Sequence, residues 1–143
     1  MGMDKKTVEL TLVIFKAIED IKGKDIVGID LSKSQSYTDF VLIASGGSDR
    51  QVTAIADNIL ENVFQNFKKN PLGVEGYESG EWVLIDFGEV VIHIFQESIR
   101  EKYHLEDMWM HCRPILEKNF VKTVKALVAK KSVQKKSRTR PKH

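Results

Sequence analysis

Along Glu81 to Phe95, EWVLIDFGEVVIHIF, two runs of β-forming residues flank Gly88-Glu89. A two-residue loop with glycine first suits a type II′ turn, so the stretch predicts a β-hairpin. Alternation of side chains then sets Phe87 opposite Val90, Asp86 opposite Val91, Leu84 opposite His93 and Trp82 opposite Phe95. One face carries Val83, Ile85, Phe87, Val90, Ile92 and Ile94 without a polar atom, as a face pressed on a core requires. The other carries Trp82, Leu84, Asp86, Val91, His93 and Phe95, with Asp86 and His93 as diagonal neighbours across the strands, their backbone positions about 7–8 Å apart. That second face admits three readings. It is a buried layer in which Asp86 satisfies His93 or a helix N-terminus, a recognition surface with Trp82 as its apolar anchor, or a catalytic Asp–His pair, for which the sequence places no nucleophile nearby.

The rest of the pattern frames this hairpin. From Asp4 to Ile21, Leu10, Val13, Ile14, Ala17, Ile18 and Ile21 recur at helical spacing and predict an amphipathic helix. Asp25 to Leu31 is short, apolar and β-branched, a first strand, and SKSQS after it is a loop. Asp39 to Ser45, DFVLIAS, is a near-continuous apolar run, as expected of an interior strand covered on both sides. Ser48 and Gln51 have capping-box spacing, so a helix starts near Asp49. Val52, Ile55, Ala56, Ile59, Leu60, Val63, Phe64 and Phe67 form its buried stripe, and it stops before Asn70-Pro71. Gly73 to Tyr77 is a short extended piece. Gln96 to Tyr103 leaves the hairpin as a helical turn, and Leu105, Met108, Trp109 and Cys112 continue at helical spacing, with Trp109 read as a cap on the core. Past Pro114, Ile115, Leu116, Val121, Val124, Leu127 and Val128 predict one more helix. The expected fold is a single α/β domain, residues 1–113, with a mixed β-sheet of about five strands flanked by helices. Residues 114–143 follow as a basic helical or disordered tail.

A chain of 143 residues with 42% hydrophobic composition suits one domain with one core. It has no apolar run near 18 residues, so no transmembrane helix is expected, and MGMDKK lacks a signal-peptide core. With the lone Cys112, these features place the protein in the cytoplasm or a similarly reducing compartment, with no membrane partner. Charge sharpens the picture. The formal net charge of +2 is the sum of unlike halves: up to Glu117 there are 12 Lys/Arg and 20 Asp/Glu, and from Lys118 onward 10 Lys/Arg and no acid. The body disfavours non-specific nucleic-acid binding, whereas the tail, with Lys130, Lys131, Lys135, Lys136, Arg138 and Arg140, is either a solvated solubility segment or an RNA contact. Metal binding is not expected from His104, His111 and Cys112, because the adjacent His111 and Cys112 point about 100° apart on a helix and no second cysteine exists. The turn Gly46-Gly47-Ser48 at a helix N-terminus is a candidate anion site, but it lacks the Lys of a P-loop and the glycine spacing of a dinucleotide fold.

Two stretches, YTDFVLIASGGSDRQVTAIADNI and GVEGYESGEWVLIDFGEVVIHIFQESIREKYHLEDMW, resemble the ribosomal silencing factor family, also called the Iojap or ribosome-associated family. Asp39, the run Ser45 to Val52, Ala54-Ile55-Ala56-Asp57, Glu75-Gly76, Trp82, Asp86, Gly88, His93, Phe95, Glu97, Arg100, Tyr103, Leu105, Glu106 and Trp109 carry the resemblance, which covers roughly Lys5 to Trp109. It implies a domain similar to the nucleotidyltransferase fold without its catalytic carboxylates, and no cofactor or catalytic residue. It further implies binding to the large ribosomal subunit through large-subunit ribosomal protein fourteen, so that the small subunit is blocked sterically and translation falls when nutrients are scarce. The docking surface it implies is Trp82, Asp86, Phe87, Gly88, Glu89 and His93. The chain departs from the family mildly at Phe87, Glu89 and Gly47, and more widely after Pro114. Two rivals stand beside this reading: a nucleotidyltransferase-like enzyme holding triphosphate on Gly46-Gly47-Ser48, and an RNA-binding protein that uses the tail alone. Edge strands of a small mixed sheet also make a homodimer possible in principle.

Overall fold

A computed structural model describes residues 2–34, 36–104, 107 and 110–128. The chain runs α1 (Lys5–Asp20), β1 (Lys24–Asp30), β2 (Phe40–Gly46), α2 (Asp49–Phe67), β3 (Gly73–Glu75), β4 (Trp82–Asp86), β5 (Val90–Gln96), α3 (Glu97–Lys102), β6 (Ile115–Leu116) and α4 (Phe120–Lys125), with short 3-10 turns before and after β6. The strands form one six-stranded sheet in the order β3-β4-β5-β2-β1-β6. Only β2 and β5 run parallel; every other neighbouring pair is antiparallel. A mixed α/β sheet flanked by helices is therefore present, with one more strand than expected.

The central hairpin closes in the predicted register, Trp82 to Phe95, Leu84 to His93 and Asp86 to Val91. The Phe87 N–H donates to the Val90 carbonyl at 2.9 Å. Gly88 has φ of +93° and Glu89 does not have positive φ, which is the type II′ requirement for glycine at the first loop position. Val83, Ile85, Phe87, Val90, Ile92 and Ile94 are all sealed in the core. They meet α1 through Val8, Leu10, Ile14 and Ile18, and α2 through Val52, Ile55, Ile59 and Val63. Phe64, expected in the buried stripe of α2, is exposed instead. It sits near the C-terminal end of the helix, where the Lys68 ammonium lies 5.3 Å over its ring.

The largest difference from the sequence reading lies past Pro114. Ile115 and Leu116 are a strand, not a helix, and pair with Gly28 and Val27 at the edge of the sheet. In α4, Phe120 and Val124 are fully buried. The Phe120 ring stacks on Phe15 at 4.1 Å and meets Phe40 edge-on at 5.9 Å. The Met3 N–H donates to the Leu127 carbonyl at 2.7 Å, so the start of α1 and the end of α4 are joined. A division at Pro114 runs through this packed structure, because apolar residues at four-residue spacing in a basic segment still need a surface to bury against. The tail residues Lys130, Lys131, Lys135, Lys136, Arg138 and Arg140, like Leu105, Met108 and Trp109, lie outside the described residues. Among the described residues, no helix is long and apolar enough to cross a membrane.

Candidate functional site

The second face of the hairpin belongs to a sheet surface that α1, α2 and α4 do not cover. Strand register lines up Trp82 with Phe95 and Ser45, Leu84 with His93, Ile43 and Val27, and Asp86 with Val91, Val41 and Ile29. Toward β1 this surface is closed: Val27, Ile29, Ile43 and Phe95 form a second apolar cluster, with Ile99 of α3 packed on it. Toward β4 it opens. Trp82 is 44% exposed, and Leu84, Asp86, Val91 and His93 are half-buried. One side of the face is thus the buried layer, and the other lies open to solvent.

Trp82 is held from two directions. Its ring lies tilted against Phe95 with centroids 4.7 Å apart, and its indole Nε1–H donates to His93 Nδ1 at 3.1 Å. An Nδ1 that accepts requires the neutral ring with its proton on Nε2. Burial acts in the same direction, lowering the His93 pKa because the imidazolium is costly to desolvate. His93 in turn stacks nearly parallel to Phe95, at 6.1 Å. The indole is thereby fixed in place while nearly half of its surface remains open to solvent.

Asp86 does not bridge to His93. Its Oδ1 accepts the Gly88 N–H at 2.8 Å, an Asx-type contact that braces the turn. A carboxylate two residues before a backbone N–H meets it locally, ahead of any cross-strand partner, which leaves the Asp–His reading of the face without its hydrogen bond. Phe87 faces the core, as alternation required. Glu89 sits half-exposed at the tip with its Oε1 3.6 Å from Lys69 Nζ, and its carbonyl accepts the N–H groups of Asp39 and Phe40. Of the six residues implied as docking surface, Trp82, Asp86 and His93 share the open face and Gly88 the turn beside it, whereas Phe87 is sealed in the core and the Glu89 side chain turns toward Lys69 at the end of α2.

The Gly46-Gly47-Ser48 turn is built as a helix cap. The Gln51 N–H donates to Ser48 Oγ at 3.1 Å, as predicted. The Gln51 carboxamide reaches one residue further back than a capping box requires, its Oε1 accepting the Gly47 N–H at 2.6 Å while its Nε2 donates to the Ile21 carbonyl at 2.9 Å. The Gly47 donor that a phosphate would need is already bonded within the chain. Among the described residues, no group of three or more His, Cys, Asp or Glu is placed to hold a metal ion. One buried group carried no role in the sequence reading: Arg100 Nη1 donates to the Ser45 hydroxyl at 2.8 Å and the Asp25 carbonyl at 3.0 Å, tying α3 to β1 and β2. No local pattern signals it, because its partners lie far away in sequence.

Fold and face together define a small mixed α/β domain whose outstanding surface is an open aromatic strip of sheet. The chain belongs to the ribosomal silencing factor family: residues 4–143 match the family described as "Ribosomal silencing factor during starvation". The match continues past Trp109, where the motif resemblance stops, and through the segment after Pro114. The chain is 40% identical to ribosomal silencing factor RsfS of Chromobacterium violaceum over 106 residues, covering 74% of this chain and 86% of that one. It is 34% identical to the mouse protein "Mitochondrial assembly of ribosomal large subunit protein 1", over 61% of this chain and 39% of that one. A crystal structure from Chromobacterium violaceum superposes with a TM-score of 0.66 at 40% identity, covering 71% of this chain and 83% of that chain.

Proposed function

We propose that the chain binds the large ribosomal subunit through large-subunit ribosomal protein fourteen and represses translation by occupying the surface where the small subunit would join. Trp82, Asp86, Gly88, Glu89 and His93 form the contact patch, and Phe87 supports the turn from the core side. The observation that carries this reading is Trp82 itself, a 44% exposed indole fixed by His93 and Phe95. A large aromatic held rigid before binding loses little entropy on docking, which is the character of an interface hot spot. The action is exclusion, with no bond made or broken, in the cytoplasm where ribosomes assemble. Lys130, Lys131, Lys135, Lys136, Arg138 and Arg140 add a contact with ribosomal RNA on the strength of their charge.

Co-sedimentation with purified large subunits tests the patch. Trp82→Ala is expected to weaken association by about 2 kcal/mol or more, roughly 30-fold. A folded Trp82→Ala variant that pellets as well as the unmodified chain would remove this face from the interface. Adding the protein to large subunits before small subunits should reduce the yield of joined ribosomes on a sucrose gradient, and an unchanged yield would refute exclusion.

A further inference from the structure

Arg100 is a charged side chain sealed inside the domain, 4% exposed, and the contact patch proposed above gives it no task. Burying a guanidinium is costly unless its surroundings supply hydrogen-bond acceptors. Two of its acceptors are the Ser45 hydroxyl, 2.8 Å from Nη1, and the Asp25 carbonyl, 3.0 Å from the same atom. They lie on β2 and β1, whereas Arg100 belongs to α3. A helix of six residues is too short to hold its own place. These bonds therefore fix where α3 rests on the sheet.

That resting place decides what backs the indole. Ser45 stands in register with Phe95, and Phe95 with Trp82, so the three share one row on the same face of the sheet. At the Ser45 end, α3 covers the row, with Ile99 packed on the apolar cluster that contains Phe95. Phe95 is buried in the middle, its ring 4.7 Å from the Trp82 ring and stacked on His93 at 6.1 Å. Trp82 forms the open end. A chain of contacts thus runs from the buried guanidinium through α3 and Phe95 to an indole that faces solvent.

We infer that Arg100 is a positioning residue for docking: by pinning α3 through Ser45 and Asp25, it holds Phe95 as the rigid backing of Trp82. The inference rests on the reading of the Trp82 face given above. An indole already fixed in its docked orientation gives up less freedom on association than one that must first be ordered. Arg100 itself touches no partner, and its effect on binding passes through Trp82.

A double-mutant cycle, read by co-sedimentation with purified large subunits, tests this with Arg100→Met and Ser45→Ala, each alone and combined with Trp82→Ala. Arg100→Met keeps an unbranched apolar stem and loses both bonds. Ser45→Ala removes one acceptor and leaves the arginine in place, so the cycle closes on Ser45 even where Arg100→Met fails to fold. Each single variant is expected to weaken binding about 3- to 10-fold, and neither to weaken it further once Trp82 is replaced. The Trp82 indole N–H, identified by its absence from the proton–nitrogen NMR spectrum of Trp82→Phe, should shift in both single variants as its bond to His93 slackens. If Trp82→Ala lowers binding while the Arg100 and Ser45 variants do not, or if their losses add to that of Trp82→Ala, the positioning role is wrong and the Trp82 patch stands. An indole signal unmoved in both variants overturns the positioning role as well. If Trp82→Ala binds as the unmodified chain does, the reading of the face falls and this inference falls with it.

Discussion

His93 links the geometry of the open Trp82 face to pH. Because burial lowers its pKa, the imidazole stays neutral in the folded chain under conditions where the unfolded chain has taken up a proton. Stability is then complete above the unfolded value of roughly 6.5 and is lost as pH falls below it toward the lowered folded value. Protonation also places a hydrogen on Nδ1, where the Trp82 indole donates, so the same event loosens the indole. Urea midpoints at pH 7.5 and 5.5 should show a larger drop for the unmodified chain than for His93→Gln; equal drops would show that this histidine does not titrate with folding. At this scale the sequence was informative about which side chains share a face and uninformative about who bonds whom. Alternation placed Trp82, Asp86 and His93 together, but the Asp86 carboxylate found the Gly88 N–H two residues on, and the indole took the imidazole.

The hairpin, the interior strand and both long helices were legible because each announces itself within a few residues, by alternation, by a continuous apolar run or by helical spacing. The edge strand β6 was not. Two residues, Ile115-Leu116, show no period, and only pairing with β1 makes them a strand. The same element depends on Gly28 of β1. A Cβ there would stand 2.5 Å from Phe40 and 2.7 Å from Phe120, both fully buried rings with nowhere to move. Gly28→Ala is expected to destabilise the domain by about 1–3 kcal/mol through overpacking, read as a fall in the urea midpoint without a change of slope. A midpoint that stays put would mean that α4 does not pack against β1 as described. Nothing in the residues around Gly28 signals this need, since it is set by aromatic rings from two other elements.

Across the whole molecule, charge divides into an acidic body and a basic tail, and truncation separates the contributions to binding proposed for each. Removing residues after Val128 leaves every described contact intact and deletes the remaining basic segment. That variant is expected to melt as the unmodified chain does and to bind large subunits more weakly but with a shallower salt dependence, since fewer counterions are released. Complete loss of association would instead support the RNA-binding rival. Truncation after Pro114 is a different experiment, because it strips Phe120 and Val124 from the core, and a large aromatic lost from a core costs about 3–5 kcal/mol by itself. The stack of Phe15 on Phe120 also bears on how the protein is made. The first helix is made well before the ring that completes its packing, so a nascent chain stopped short of α4 keeps an open hydrophobic seam. The domain thus reaches its finished form only once α4 has been made.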